Sequence, residues 1–174
     1  ISSQVDFYLK QWRGIEDEDQ SFVIDVNCLR FGTGEAKAVL HHSARGLDAF
    51  IICDCFNHGV TYNMYGYENH YSPDEHYANL KRAISAIGGK ARTITVIMPM
   101  LYEGRQHRRT ARESLDCALA LQELENMGVS NIITFDAHDP RVHNAIPQSG
   151  FENVQPVYQM IKAMCKNIPD LNID

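Results

Sequence analysis

The sequence of 174 residues lacks most of the features that assign a chain to a compartment or a cofactor at sight. No apolar run approaches the roughly 20 residues that a membrane helix requires, the longest being of the AFIIC and VIM kind, so a membrane is not an expected partner and the chain is expected to be soluble. The cysteines are five, an odd number, and none stands in C-x-x-C spacing; Cys53 and Cys55 make only C-x-C. With no secretory signal either, reduced thiols in a cytoplasm are expected. His41, His42, His58, His70 and His76 fall in neither H-x-H nor H-E-x-x-H spacing. Positive charge is short as well: 16 Lys and Arg against 22 Asp and Glu leave a net charge of −6, so a phosphate duplex would repel most of this surface and nucleic acid is not an expected partner. There is no internal repeat and no low-complexity tract.

What is present is an ordinary globular composition, 44% hydrophobic and 22% charged, on a chain long enough to bury a core without disulfides or a structural metal. The chain starts at Ile1 rather than Met and stops in PDLNID after a helical pattern, so it is expected to be a piece of a longer polypeptide.

Residues 21–30 (SFVIDVNCLR) and 36–42 (AKAVLHH) read as strands flanking Phe31-Gly32-Thr33-Gly34-Glu35, whose glycines permit a hairpin turn. AFIIC, residues 49–53, reads as a strand covered on both faces. Residues 54–71 show no period and read as a long loop or insertion. A helix begins at Ser72, with Pro73 at the first helical position and Glu75 completing a capping box; Tyr77, Leu80, Ile84 and Ile87 form its buried stripe and Gly88-Gly89 ends it. TITVIM is the next strand, closed by Pro99. Cys117, Ala120, Leu121, Leu124 and Met127 form a second stripe stopped by Gly128, NIITF (residues 131–135) is a further strand, and a last helix starts at Pro156. Strands alternating with helices predict a mostly parallel sheet with helices on both sides, preceded by an antiparallel hairpin. In such sheets ligands sit beyond the carboxyl ends of the strands.

Two loops occupy that position. The first carries Arg105, Arg108, Arg109 and Arg112 in eight residues leading into a helix, which suits phosphate oxygens, although a solvated turn whose arginines pair with nearby carboxylates has the same sequence. The second, FDAHDPRVH, holds Asp136, His138, Asp139 and His143; a carboxylate and an imidazole two residues apart can reach one divalent cation, and short Asp/His spacings also arise by chance. The loops follow consecutive strands and are expected side by side, an arrangement that suits a metal-bound polyphosphate. The turn FGTGE offers backbone N–H groups and a carboxylate to a nucleotide, or is only a turn.

In order, FGTGE (31–35), RGLDAFII (45–52), MPMLYEGRQHRR (98–109) and ITFDAHD (133–139) resemble the F-S-D-G-E, R-G-x-D-x-F-I-I, Y-x-R-Q-D-R and D-L-H segments in the N-terminal half of ribose-phosphate pyrophosphokinases, with Pro147 matching a proline beyond the last. The resemblance implies a phosphoribosyltransferase-like, three-layer α/β/α fold. It implies that Arg105, Gln106 and Arg108 of one subunit and Phe31 and Glu35 of a neighbour contact ATP, with Arg105 and His138 catalytic and His138 and Asp136 beside magnesium. The implied reaction moves the β,γ-diphosphoryl group of Mg-ATP to O1 of ribose 5-phosphate, giving phosphoribosyl pyrophosphate and AMP, in a homo-oligomer.

Thr33 and His107 stand where the family carries Asp, which places the chain in a divergent branch. The family's second-half signature, D-D-x-x-D-T-G-G-T, is absent. The chain therefore reads as the N-terminal domain over residues 1–174, without the ribose-5-phosphate-binding domain and inactive alone. Two other readings stand beside this one: a non-catalytic nucleotide-sensing or subunit-binding relative, and a metal-dependent hydrolase using Asp136, His138, Asp139 and His143.

Overall fold

The structure, a computed structural model, describes residues 1–17 and 19–168; the PDLNID terminus lies outside the described residues. In chain order the elements are helix α1 (Ser2–Arg13), strands β1 (Val26–Arg30), β2 (Ala36–Leu40), β3 (Asp48–Ile52), β4 (Thr61–Met64) and β5 (Tyr67–His70), helix α2 (Pro73–Ile87), strand β6 (Thr93–Met98), helix α3 (Asp116–Asn126), strand β7 (Asn131–Phe135), a 3-10 turn (Pro140–Ala145), strand β8 (Gly150–Val154) and helix α4 (Val157–Asn167).

Strands β3, β6, β7 and β8 form one parallel sheet in that order, while β1–β2 and β4–β5 are separate antiparallel hairpins. This is the mixed α/β architecture expected from the alternating pattern. The register sets Ile51, Val96 and Ile132 side by side, and the same core holds Tyr77, Leu80, Ile84 and Ile87 of α2 and Cys117, Ala120, Leu121 and Leu124 of α3. The two helices therefore share the face of the sheet that these residues line. They also touch each other: the Tyr77 hydroxyl donates to the Ala120 carbonyl at 2.8 Å and Lys81 pairs with Glu123 at 2.7 Å. The alternate residues Phe50, Phe135 and Val154 point to the other face and are exposed, and α1 and α4 bury no residue. Among the described residues no helix is long and apolar enough to cross a membrane.

Helix α2 follows from its sequence. The Ser72 hydroxyl accepts from the Glu75 amide, the Glu75 carboxylate accepts from the Ser72 amide at 2.9 Å, Pro73 opens the first turn, and Gly88 closes the helix in the left-handed conformation at φ 62°.

Three sequence readings are corrected. Residues 54–71 are not a structureless loop, because their second half folds into the β4–β5 hairpin, paired from Thr61↔His70 to Met64↔Tyr67. The first strand starts at Val26 rather than Ser21, and the second ends at Leu40 rather than His42. The short strand β8, the helix α1 and the 3-10 turn had no counterpart in the sequence reading.

Candidate functional site

The arginine loop leaves the carboxyl end of β6 and is fastened at its base. Leu101 is buried, the Tyr102 ring stacks on Tyr77 at 4.3 Å with 6° between planes, and the Tyr102 hydroxyl donates to Asp74 at 2.8 Å. Glu103 turns the chain at φ 54°, the Gln106 amide donates to the Glu103 carbonyl at 2.8 Å, and the Cys117 amide donates to the Gln106 carbonyl at 3.4 Å. Beyond this base Arg105, Gln106, Arg108, Arg109 and Arg112 are exposed. Among the described residues none of the four arginine side chains makes a close ion pair or hydrogen bond, and Arg109 acts on the Glu113 carboxylate only through its charge. They lead into α3, whose first turn has no side-chain cap.

The second loop leaves β7 through Asp136, a non-glycine residue at φ 49°. The end of β8 holds it: the Asp136 amide donates to the Val154 carbonyl at 3.0 Å and the Ala137 amide to Asn153 Oδ1 at 2.9 Å. Asp139 caps the 3-10 turn and receives the fork of Arg141 at 2.6 and 2.9 Å. Hydrogen bonds from the Arg141 side chain and amide hold the Asp139 carboxyl well below the usual carboxylate range.

The two loops meet through His107. Its ring lies edge-on to the His138 ring, with centroids 5.1 Å apart, and its Nε2 is 3.5 Å from Asp139 Oδ2. The residue that departs from the family pattern is thus the one that joins the loops. A cleft of about 320 Å³ opens beside it, lined by His107, Leu115, Gln122, Arg141 and Asn144. Asp136 and His138 are exposed and do not line it. His143 turns back to its own turn, 2.8 Å from the Pro140 carbonyl, and among the described residues no group of three or more His, Cys, Asp or Glu side chains is gathered as a metal site. Asp136, His138, Asp139 and His143 are therefore not gathered around one point.

The FGTGE turn closes β1 on β2. The Phe31 amide donates to the Glu35 carbonyl at 2.8 Å and the Gly34 amide to the Phe31 carbonyl at 2.9 Å, and the Thr33 hydroxyl donates to the Glu35 carboxylate at 3.1 Å. Phe31, 48% exposed, carries the Lys37 ammonium over its ring at 5.8 Å. No hydrogen bond, ion pair or ring contact joins Phe31 or Glu35 to Arg105, Gln106 or Arg108. Both regions are instead tied to one turn of α2: Asp74 holds Tyr102 of the arginine loop, and Glu75 accepts from the Tyr62 hydroxyl of β4 at 2.5 Å.

Arg30 is the residue that the sequence reading missed. Its side chain is only 9% exposed and lies against the edge-to-face pair of Tyr62 and Tyr71, 4.3 and 4.9 Å from the two ring centroids, and its Nη1 donates to the Gly34 carbonyl at 2.8 Å and lies 3.5 Å from Glu75. The ring faces stand in for hydrogen-bond partners at its buried Nε and Nη2, which have none. One buried cation thus fixes the glycine turn, the β4–β5 hairpin and the start of α2. Burial opposes the charge on Glu75, but the Tyr62 and Ser72 hydrogen bonds and Arg30 together hold its carboxyl below the ordinary value.

Residues 10–128 match the family model described as the N-terminal domain of ribose phosphate pyrophosphokinase. The curated ribose-phosphate pyrophosphokinases of Corynebacterium ammoniagenes and Bacillus caldolyticus are 30% and 32% identical to the chain over 115 residues, covering 65% of it and 32% of each relative. The chain therefore spans about a third of the length of these relatives. A crystal structure of phosphoribosylpyrophosphate synthetase from Mycobacterium smegmatis superposes with a TM-score of 0.68 over 83% of this chain and 44% of that one, at 19% identity, a likeness of fold.

Proposed function

The chain belongs to the family of the N-terminal domain of ribose phosphate pyrophosphokinase, and from that membership we propose that it is the nucleotide-holding part of a ribose-phosphate diphosphokinase. The full-length protein transfers the β,γ-diphosphoryl group of Mg-ATP to O1 of ribose 5-phosphate, and this chain alone turns over nothing. The observation that carries the proposal is an exposed arginine loop, whose four guanidinium groups make no close ion pair among the described residues, joined through His107 to the loop that bears His138 and Asp139.

In this reading Arg105 and Arg108 fork onto the polyphosphate oxygens, with Arg105 opposing the charge that develops during transfer, and Gln106 meets the adenine. Among the described residues the side-chain carboxylate of Asp136 has no partner, which fits a magnesium site built from one or two carboxylates plus substrate phosphates. Magnesium, when bound there, neutralises the polyphosphate charge. The His138 imidazole, a poorer magnesium ligand than an oxygen, is placed to donate a hydrogen bond to a phosphate oxygen. Phe31 and Glu35, which make no contact with the arginine loop of their own chain, contact the nucleotide of a neighbouring subunit, so the working unit is a homo-oligomer.

Calorimetry of Mg-ATP with the full-length protein and its Arg105→Ala variant tests the assignment. A loss of at least about tenfold in affinity is expected, and equal affinities overturn it. A non-catalytic nucleotide-sensing module is the second reading, favoured by Thr33, whose hydroxyl turns back onto Glu35. Binding of Mg-ATP without formation of phosphoribosyl pyrophosphate from ribose 5-phosphate would select it.

A further inference from the structure

The turn of the β4–β5 hairpin carries an unexpected residue for its shape. Tyr65 and Gly66 alone join Met64 to Tyr67, and both have positive φ, 50° and 83°, the pattern of a type I′ turn. Asn-Gly meets that demand with little strain, whereas a bulky aromatic residue at positive φ is an outlier of the kind found at functional sites. Burial does not offset the strain, because Tyr65 is 72% exposed. Among the described residues its ring and hydroxyl have no hydrogen bond or ring contact either, and nothing there explains the tyrosine.

The backbone shows where the ring is held. The Tyr65 amide donates to the Gly32 carbonyl at 3.0 Å, and the sulfur of Met64 lies 2.7 Å from where a Cβ on Gly34 would stand. The strained turn is therefore clamped onto the glycine turn that carries Phe31. Two exposed aromatic side chains, Phe31 and Tyr65, leave from turns joined by one backbone hydrogen bond.

We infer that Tyr65 is a base-stacking residue: together with Phe31 it offers an aromatic platform to the purine of a nucleoside triphosphate. The inference rests on the proposed function, which places Phe31 against the nucleotide of a neighbouring subunit. Every base has a π-face, and a stacking ring needs no directional partner, so the loss of an acidic side chain at Thr33 does not prevent such a contact. The amide hydrogen bond fixes the backbone of the two-residue turn before the base arrives, so only the rotamer freedom of the side chain is lost on binding.

The test uses the full-length protein and calorimetric affinities for Mg-ATP and for magnesium tripolyphosphate, which has no base. Tyr65→Asn installs Asn-Gly, so the thermal midpoint is expected to hold or rise, while affinity for Mg-ATP falls about tenfold and affinity for tripolyphosphate holds. Tyr65→Phe keeps a ring and is expected to restore Mg-ATP affinity. The inference is overturned by unchanged Mg-ATP affinity in Tyr65→Asn, by an equal loss for tripolyphosphate, by a loss accompanied by a lower thermal midpoint, or by failure of Tyr65→Phe to restore it. Arg105→Ala, run in parallel, separates the two ideas. If it weakens both ligands while Tyr65→Asn weakens neither, only the stacking role falls; if it weakens neither, the reading of the whole site falls with it.

Discussion

The Arg92 clasp at the amino end of the four-stranded sheet and the arginine loop at its carboxyl end use arginine in different ways. At the amino end, Arg92 precedes β6 and clasps Asp48, the first residue of β3, which also accepts from Thr93 at 2.8 Å. At the carboxyl end Arg141 forks onto Asp139, but among the described residues Arg105, Arg108, Arg109 and Arg112 clasp no carboxylate. An arginine that stitches neighbouring strands finds its carboxylate inside the fold. Crowded guanidinium groups with few carboxylates repel one another and return little to the fold, which supports the proposed role of holding an anion from outside. Arg30 is a third state, buried and satisfied mostly by ring faces, and it serves the geometry of the site without facing it.

Mutations at the three places should separate these roles. The largest effect is expected from Arg105→Ala in the full-length protein, where steady-state assays should show turnover reduced by about 10²- to 10³-fold while urea unfolding stays within about 0.5 kcal/mol of the parent. A matching loss of stability would break the comparison. Arg30→Met should do the reverse of the stability result, lowering the unfolding free energy by about 2–3 kcal/mol, because Glu75 and the two tyrosine rings lose their shared cation. Ser72→Ala removes one half of the capping box and should cost about 1 kcal/mol, read by the same denaturation curve.

The smallest effect belongs to Asp48. Hydrogen bonds from Arg92, then from Thr93, pull its carboxyl down from 3.8 to about 2. A depressed carboxylate contributes its stability above the unfolded value, and that contribution is lost as pH falls through the folded one, here between 3.8 and about 2. Titration followed by carboxyl NMR should place the Asp48 midpoint near the lower value, and Arg92→Ala should return it toward 3.8. An unmoved midpoint would remove the amino-end pair from the comparison.

Much of the frame is legible in the sequence because local signals and tertiary need agree there. Ser72, Pro73, Glu75 and Gly88 specify α2 without help, and the stripe from Cys117 to Leu124 finds the core it predicts. The β4–β5 hairpin is not legible, since TYNM and YENH bury few apolar groups and their turn uses Tyr-Gly where Asn-Gly would announce it. Strand β8 is short and half polar, and α1 shows no buried stripe to detect. At the site, the adjacency of the arginine and Asp-His loops follows from consecutive parallel strands, β6 beside β7. The burial of Arg30 does not follow from anything local. An arginine closing a strand reads as a solvent-facing charge, and only the arrival of Tyr62 and Tyr71 from more than thirty residues away encloses it.

The contact of Met64 with Gly34 makes Thr61–Met64 a poor place for a single-residue insertion or deletion. Strand side chains alternate between faces, so gaining or losing a single codon within β4 would swing Met64 off the glycine turn and Tyr62 off Arg30 together. What looks like an appendage is in that sense part of the reading frame of the FGTGE turn, and the two can drift only as a pair.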